Sequence, residues 1–132
     1  MHIPDGFIDL PTSAAFAAVA AAGVAISIRG AKSSLDEKTA PLAGLTATFI
    51  FAVQMLNFPV AAGTSGHLLG AGLAAVLIGP YAATLAITIV LILQALLFAD
   101  GGLSALGLSI FNMSLVAVWF GYVVFLLVKK IA

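Results

Sequence analysis

No cysteine occurs among the 132 residues, which removes a disulfide framework and any thiolate metal site; a metal held here needs nitrogen or oxygen donors. Charge is nearly as scarce. Charged residues make up 8% of the chain and hydrophobic ones 63%, with a mean hydropathy of +1.24, whereas about a quarter of an average soluble domain is charged. A soluble catalytic fold is therefore a poor fit, and the composition is that of an integral membrane protein. Basic and acidic residues balance at five each, which gives no support to nucleic-acid binding. No lysine or arginine precedes the first apolar run, so the basic start of a secretory signal is missing. Met1 is expected to stay on the mature chain, because a bulky second residue such as His2 blocks its removal.

What is present falls into apolar runs separated by breaks. The first run, Thr12 to Ile28, is alanine-rich, and Ala18 and Ala22 repeat the small-xxx-small spacing that lets helices approach closely in lipid. That spacing predicts a surface for packing against a partner helix. A charged loop, Arg29 to Lys38, leads to a second run, Pro41 to Leu56. Pro, Gly, Thr and Ser then break any helix between Asn57 and Gly66. The next run, Leu68 to Ile78, would rise only about 17 Å as a helix, against a hydrocarbon core of roughly 30 Å. It cannot span alone, which makes 57–66 a candidate re-entrant loop. Gly79-Pro80, a run from Tyr81 to Ala99, a break at Asp100 to Gly107 and a last helix from Leu108 to Val128 complete the chain.

Charge decides the topology. A turn at Gly79-Pro80 gives about five crossings and places Arg29, Lys32, Lys38, Lys129 and Lys130 on one face, with Asp5, Asp9 and Asp100 on the other; a mere kink splits the lysines. The expected fold is an all-α integral membrane protein, one membrane domain over 1–132, with about five transmembrane helices and the re-entrant loop at 57–66. Its N-terminus lies outside and its C-terminus in the cytoplasm.

The chain has two histidines. With His2 in second position, the Met1 amine and the His2 amide nitrogen close a five-membered chelate ring on a metal, and the amide nitrogen and imidazole Nδ1 close a six-membered one. Three coplanar nitrogens leave one position open, and the topology puts His67 on the same side. Four planar nitrogens suit Ni(II), Cu(II) or low-spin Co(II) and suit tetrahedral Zn(II) badly. All these donors must lose protons to bind, so affinity should fall with pH. A lone histidine at a membrane interface also serves as a solvated or hydrogen-bonded residue, and spacing alone leaves both roles open. Asn57, Thr64 and Ser65 are candidates for orienting His67 by hydrogen bonds. Asp5 is a candidate for offsetting the charge of the bound metal, with surface anchoring as its blander role. Gln54, Gln94 and Asn112 are costly in lipid unless they face the bundle, where hydrogen bonds between helices or to loop backbone are the expected role and direct contact with the metal is the alternative.

Three blocks now carry a family resemblance: Met1-His2-Ile3-Pro4-Asp5-Gly6-Phe7; Asn57-Phe58-Pro59-Val60 through Gly66-His67-Leu68-Leu69-Gly70; and Gln94 to Gly102 through Phe111-Asn112-Met113. In order and spacing the chain resembles the CbiM/NikM substrate-binding membrane components of cobalt and nickel energy-coupling-factor transporters. The resemblance implies capture of Co(II) or Ni(II) from outside the cytoplasmic (inner) membrane, with Met1, His2 and His67 as ligands and no other cofactor. It further implies a transmembrane coupling protein, two cytoplasmic ATPases and often a small accessory membrane protein as partners. Family members usually run on for further membrane helices. The chain is not expected to be an enzyme, and it lacks a phosphate-binding G-x-x-x-x-G-K-[ST] segment. Two other classes stand beside this one. An ATP-independent metal channel or permease would need a continuous polar stripe, which no span supplies; an intramembrane metalloenzyme would need an open metal position beside a general acid or base.

Overall fold

The structure is a computed structural model that describes residues 2–61 and 64–131, without the side chains of residues 61, 64 and 65. Its helices are α1 (Leu10–Ser34), α2 (Thr39–Gln54), α3 (Ala71–Ile78), α4 (Pro80–Leu97) and α5 (Leu106–Ile131). Three of them, α1, α4 and α5, are long and apolar enough to cross a membrane, and α2 is a shorter apolar helix. The chain is a multi-pass membrane protein, and its many outward-facing apolar side chains, among them Leu45, Phe49, Ile89 and Phe120, face lipid rather than water.

The expected loop from Arg29 is in part helix, since α1 continues through Arg29 and Lys32 to Ser34. Basic side chains at a helix C-terminus favour continuation, because they meet the negative end of the helix dipole. The turn that follows is set by Asp36, whose Oδ1 accepts the backbone N–H groups of Lys38 at 3.0 Å and Thr39 at 2.7 Å and so starts α2.

The non-helical interruption predicted at 57–66 takes the form of an antiparallel hairpin, β1 (Phe58–Ala61) with β2 (Thr64–Gly66), with an irregularity between Pro59 and Ala61. Phe58 and Val60 on this hairpin are exposed, and the chain turns inward at Gly66 and His67, both buried.

Helix α4 is the centre of the bundle and packs against all four others. Its sequence permits this, because alanines and medium side chains occupy every face and Ala83, Thr84, Ile87 and Leu91 are fully buried. Close approaches elsewhere depend on missing side chains: a Cβ on Gly107 would stand 2.5 Å from Ala17 Cα between α5 and α1, and one on Gly121 would stand 2.9 Å from Gly72 Cα between α5 and α3.

The direction of each pass follows from contacts at its ends. His67, just before α3, and Asp100, just after α4, both lie against His2. The chain therefore leaves and returns to the same end, and Gly79-Pro80 is a reversal rather than a kink. Gly79 has φ +78, a backbone region that glycine enters without strain, and Pro80 begins α4. Gln54, at the end of α2, reaches the Leu69 carbonyl, so α1 leads away from this end and α2 leads back. In α5 a π-helical segment, Phe111–Val116, turns Ser114 onto α4. Asn112 departs from expectation: it is exposed on the outer face of α5 rather than turned into the bundle, because Met113 and Ser114 take the buried positions of that segment.

Candidate metal centre

His2 and His67 meet side by side, with ring centroids 5.1 Å apart and planes tilted by 31°. Their partners leave different nitrogens free. In His67, Nδ1 lies 3.0 Å from the Leu68 carbonyl; a carbonyl only accepts, so Nδ1 carries the proton and Nε2 keeps its lone pair. That Nε2 is buried and has no hydrogen-bond partner among the described residues. In His2, Nε2 faces Asp100 Oδ2 at 3.6 Å, the arrangement in which a carboxylate orients an imidazole and leaves Nδ1 for a metal. Nδ1 is also the nitrogen that the second-position chelate requires.

Non-helical chain precedes α3, and three of its carbonyls have donors. Leu68 O accepts from His67 Nδ1, Leu69 O from Gln54 Nε2 at 2.7 Å, and Gly70 O from the Ala74 N–H at 2.9 Å. Non-helical chain inside a membrane protein is tolerated only on such terms.

The N-terminal segment is strapped to the loop after α4. Gly102 N–H donates to the Ile3 carbonyl at 2.8 Å, and Asp5 Oδ1 accepts from the Ser104 N–H at 2.8 Å and from its hydroxyl at 2.5 Å. Those bonds hold the Asp5 carboxyl below its ordinary pKa. Gly101, with φ +102, lies where a Cβ would stand 2.8 Å from His2 Cβ, so the loop passes flat against the imidazole. Burial, more than any neighbour, lowers the pKa of His2 from 6.5; Asp100 opposes the shift and His67 adds to it. The ring is thereby biased to its neutral, ligating form.

Over residues 2–132 the sequence matches the family model CbiM, cobalt uptake substrate-specific transmembrane region. The chain belongs to the CbiM family. One relative from Archaeoglobus fulgidus, named as a candidate fused nickel transport protein, NikMN, is 44% identical over 130 residues, covering 98% of this chain and 43% of its own length. The cobalt transport protein CbiM of Geobacter sulfurreducens is 39% identical over 128 residues, covering 95% of this chain and 37% of its own. A crystal structure described as a truncated transition metal transporter superposes with a TM-score of 0.93 at 37% identity, covering 99% of this chain and 61% of that one. The chain thus spans only part of the length of these CbiM relatives.

Within this CbiM-family chain the predicted residues are distributed unevenly around the histidine pair. His2 and His67 are brought together. Met1 lies outside the described residues, as do the side chains of Thr64 and Ser65. Asn57 is exposed at the entry to β1, where its N–H bonds Met55 O at 3.0 Å, and no described hydrogen bond joins it to His67. Asp5 is engaged by Ser104. Ala18 and Ala22 are exposed on α1. The residue that sequence reasoning missed is Asp100. Its signal was available, since it is one of three aspartates that the topology assigns to the histidine end.

Among the described residues, no three His, Cys, Asp or Glu side chains cluster in a way that could hold a metal.

Proposed function

We propose that the chain is the substrate-capturing part of a cobalt or nickel uptake transporter, binding Co(II) or Ni(II) through the Met1 amine, the His2 amide nitrogen and Nδ1, and His67 Nε2. The observation that carries this reading is the paired imidazoles. His67 Nδ1 is engaged by Leu68 O and His2 Nε2 faces the Asp100 carboxylate at 3.6 Å, which leaves His67 Nε2 and His2 Nδ1, the two nitrogens that the planar chelate needs. The names of the relatives supply the two metals. Arg29, Lys32, Lys38, Lys129 and Lys130 stand at the opposite end of the bundle from the histidines, so the positive-inside preference puts the site outside the cytoplasmic membrane. Coupling to a transmembrane partner and to ATPases in separate subunits completes the cycle, with the exposed Ala18 and Ala22 face of α1 as the docking surface.

Isothermal titration with Ni(II) and Co(II) tests the chelate on two forms of the protein, one with the native start and one with residues added before Met1. An extension turns the Met1 nitrogen into an amide and carries the charged amine away. The native form should bind and the extended form should not; equal binding by both would show that the chain end is not a ligand.

A further inference from the structure

Buried polar side chains are satisfied unevenly along the bundle. Midway down they are paired: Ser114 Oγ donates to the Thr84 carbonyl at 2.8 Å, and Thr88 Oγ1 donates to Ser114 Oγ at 2.9 Å. Thr84 and Ser27 each donate to a carbonyl one turn back at 2.9 Å. The histidine end is different. All buried side-chain polar atoms without a hydrogen-bond partner among the described residues belong to His2, Ser13, Gln54, His67, Gln94 and Asp100. These are the N-terminal segment, the first turn of α1, the last residue of α2, the entry to α3, and the last turn of α4 with its following loop.

Two of the six are glutamines at 0% exposure. Gln54 has its Nε2 on Leu69 O, which fastens it two residues beyond His67, and its Oε1 is unpaired. Gln94 has neither Oε1 nor Nε2 paired, while its backbone carbonyl accepts the N–H groups of Phe98 and Asp100 at 3.1 Å each. Its backbone is therefore hydrogen-bonded to the residue that faces His2. A leucine would pack here without leaving an amide unsatisfied, so a glutamine in this position calls for a polar partner in the site itself.

Four coplanar nitrogens leave only the axial positions of the metal for another donor. Resting on the chelate reading above, we propose that Gln94 presents an axial oxygen to the metal, its own Oε1 or that of a water it holds with Gln54, and that this contact favours Co(II) over Ni(II). The electron counts give the direction. A planar d8 Ni(II) ion keeps a filled orbital along the axis and repels a fifth ligand, whereas low-spin d7 Co(II) has a single electron there and accepts one.

The test uses the full chain with its native start. Gln94→Leu should lower Co(II) affinity about tenfold or more while Ni(II) affinity changes by less than about threefold, the scale at which groups supporting a metal ligand act. The electron paramagnetic resonance spectrum of Co(II) on the unaltered protein should show axial coordination, a readout that does not depend on the variant folding. Equal losses for both metals would make Gln94 a positioning residue and overturn the axial contact, as would no change for either metal or a four-coordinate planar cobalt spectrum. Failure of the chelate itself is separable, because an unaltered protein that binds neither metal, or binds both regardless of an N-terminal extension, removes the site and not merely its axial ligand.

Discussion

Replacing Gly102 by alanine loads the strap that holds the N-terminus without touching a donor atom. Gly102 bonds Ile3 O, and a Cβ added to it would stand 2.7 Å from the Pro4 carbonyl carbon and 2.6 Å from Asp5 Oδ1. Carbon contacts settle near 3.5–4.0 Å, so the segment bearing His2 must retreat by about 0.8 Å or more, and because Pro4 C is backbone no rotamer relieves it. Metal–ligand distances tolerate only about 0.2 Å. The expected loss is about 10–100-fold in metal affinity, or about 1.4–2.7 kcal/mol. Titration calorimetry reads it, with thermal unfolding of the same samples as a check on the fold. Gly107→Ala supplies the comparison. Its Cβ would collide with Ala17 Cα at 2.5 Å, away from the histidines, so it should destabilise the bundle by about 1–3 kcal/mol through overpacking and leave the affinity of the folded protein unaltered. Unchanged binding by a folded Gly102→Ala protein would show that the strap does not position the donors.

Affinity should fall with pH in a way that counts protons. The pKa of His2 is lowered chiefly by burial, so near pH 7 its imidazole is neutral in the fold and releases no proton on binding. The amide and the amine, with an unperturbed pKa of about 7.7–8.0, release about two protons per metal, and His2 joins them only as pH drops through its lowered value. The sign for stability agrees: His2 contributes stability above its unfolded pKa, and that contribution is lost as pH falls through the folded one. Calorimetry in buffers of different ionisation enthalpy gives the count, and a value near zero would refute amide and amine ligation. Replacing Ala18 and Ala22 with leucine should weaken co-purification with the proposed coupling partner while metal affinity stays within about twofold, as expected for sites with no shared contacts; intact co-purification would move the proposed docking surface elsewhere.

Much of the fold was legible because lipid imposes few solutions. The runs ending at Leu56 and Ala99 stop within two residues of the ends of α2 and α4, whereas α1 runs six residues past Ile28; Gly79-Pro80 together with the lysine distribution required a reversal that the contacts of His2 with His67 and Asp100 display. The hairpin at Phe58 to Gly66 was read only as an interruption, since Gly, Thr and Ser break a helix without choosing what replaces it. His2 and His67 were legible as the chain's two imidazoles, but the surroundings of their nitrogens were not. Which nitrogen each ring leaves free depends on Leu68 O and Asp100 Oδ2, and those neighbours are set by tertiary packing. Asn112 was misplaced for a related reason: the π-helical segment offsets the helix face, and regular helical spacing does not anticipate it.

The short α3 links the fold to the proposed chemistry. Its 8 residues rise about 12 Å and the 18 residues of α4 about 27 Å, yet both segments must finish against His2. The difference is made up by the non-helical chain from His67 to Leu69 and the left-handed Gly70, φ +71, that leads into α3. Carrying α3 one turn further would bond the Leu68 and Leu69 carbonyls within the helix, but it would draw His67 away from the N-terminus and turn its ring with the helical register. The unwound entry is therefore what delivers the second imidazole. Its cost is two carbonyls without helical partners, and the protein meets that cost with His67 Nδ1 and Gln54 Nε2. One of these bonds also fixes the tautomer that leaves Nε2 free. The same four residues, Gln54, His67, Leu68 and Leu69, thus stabilise the break in the helix and define the donor that the break presents.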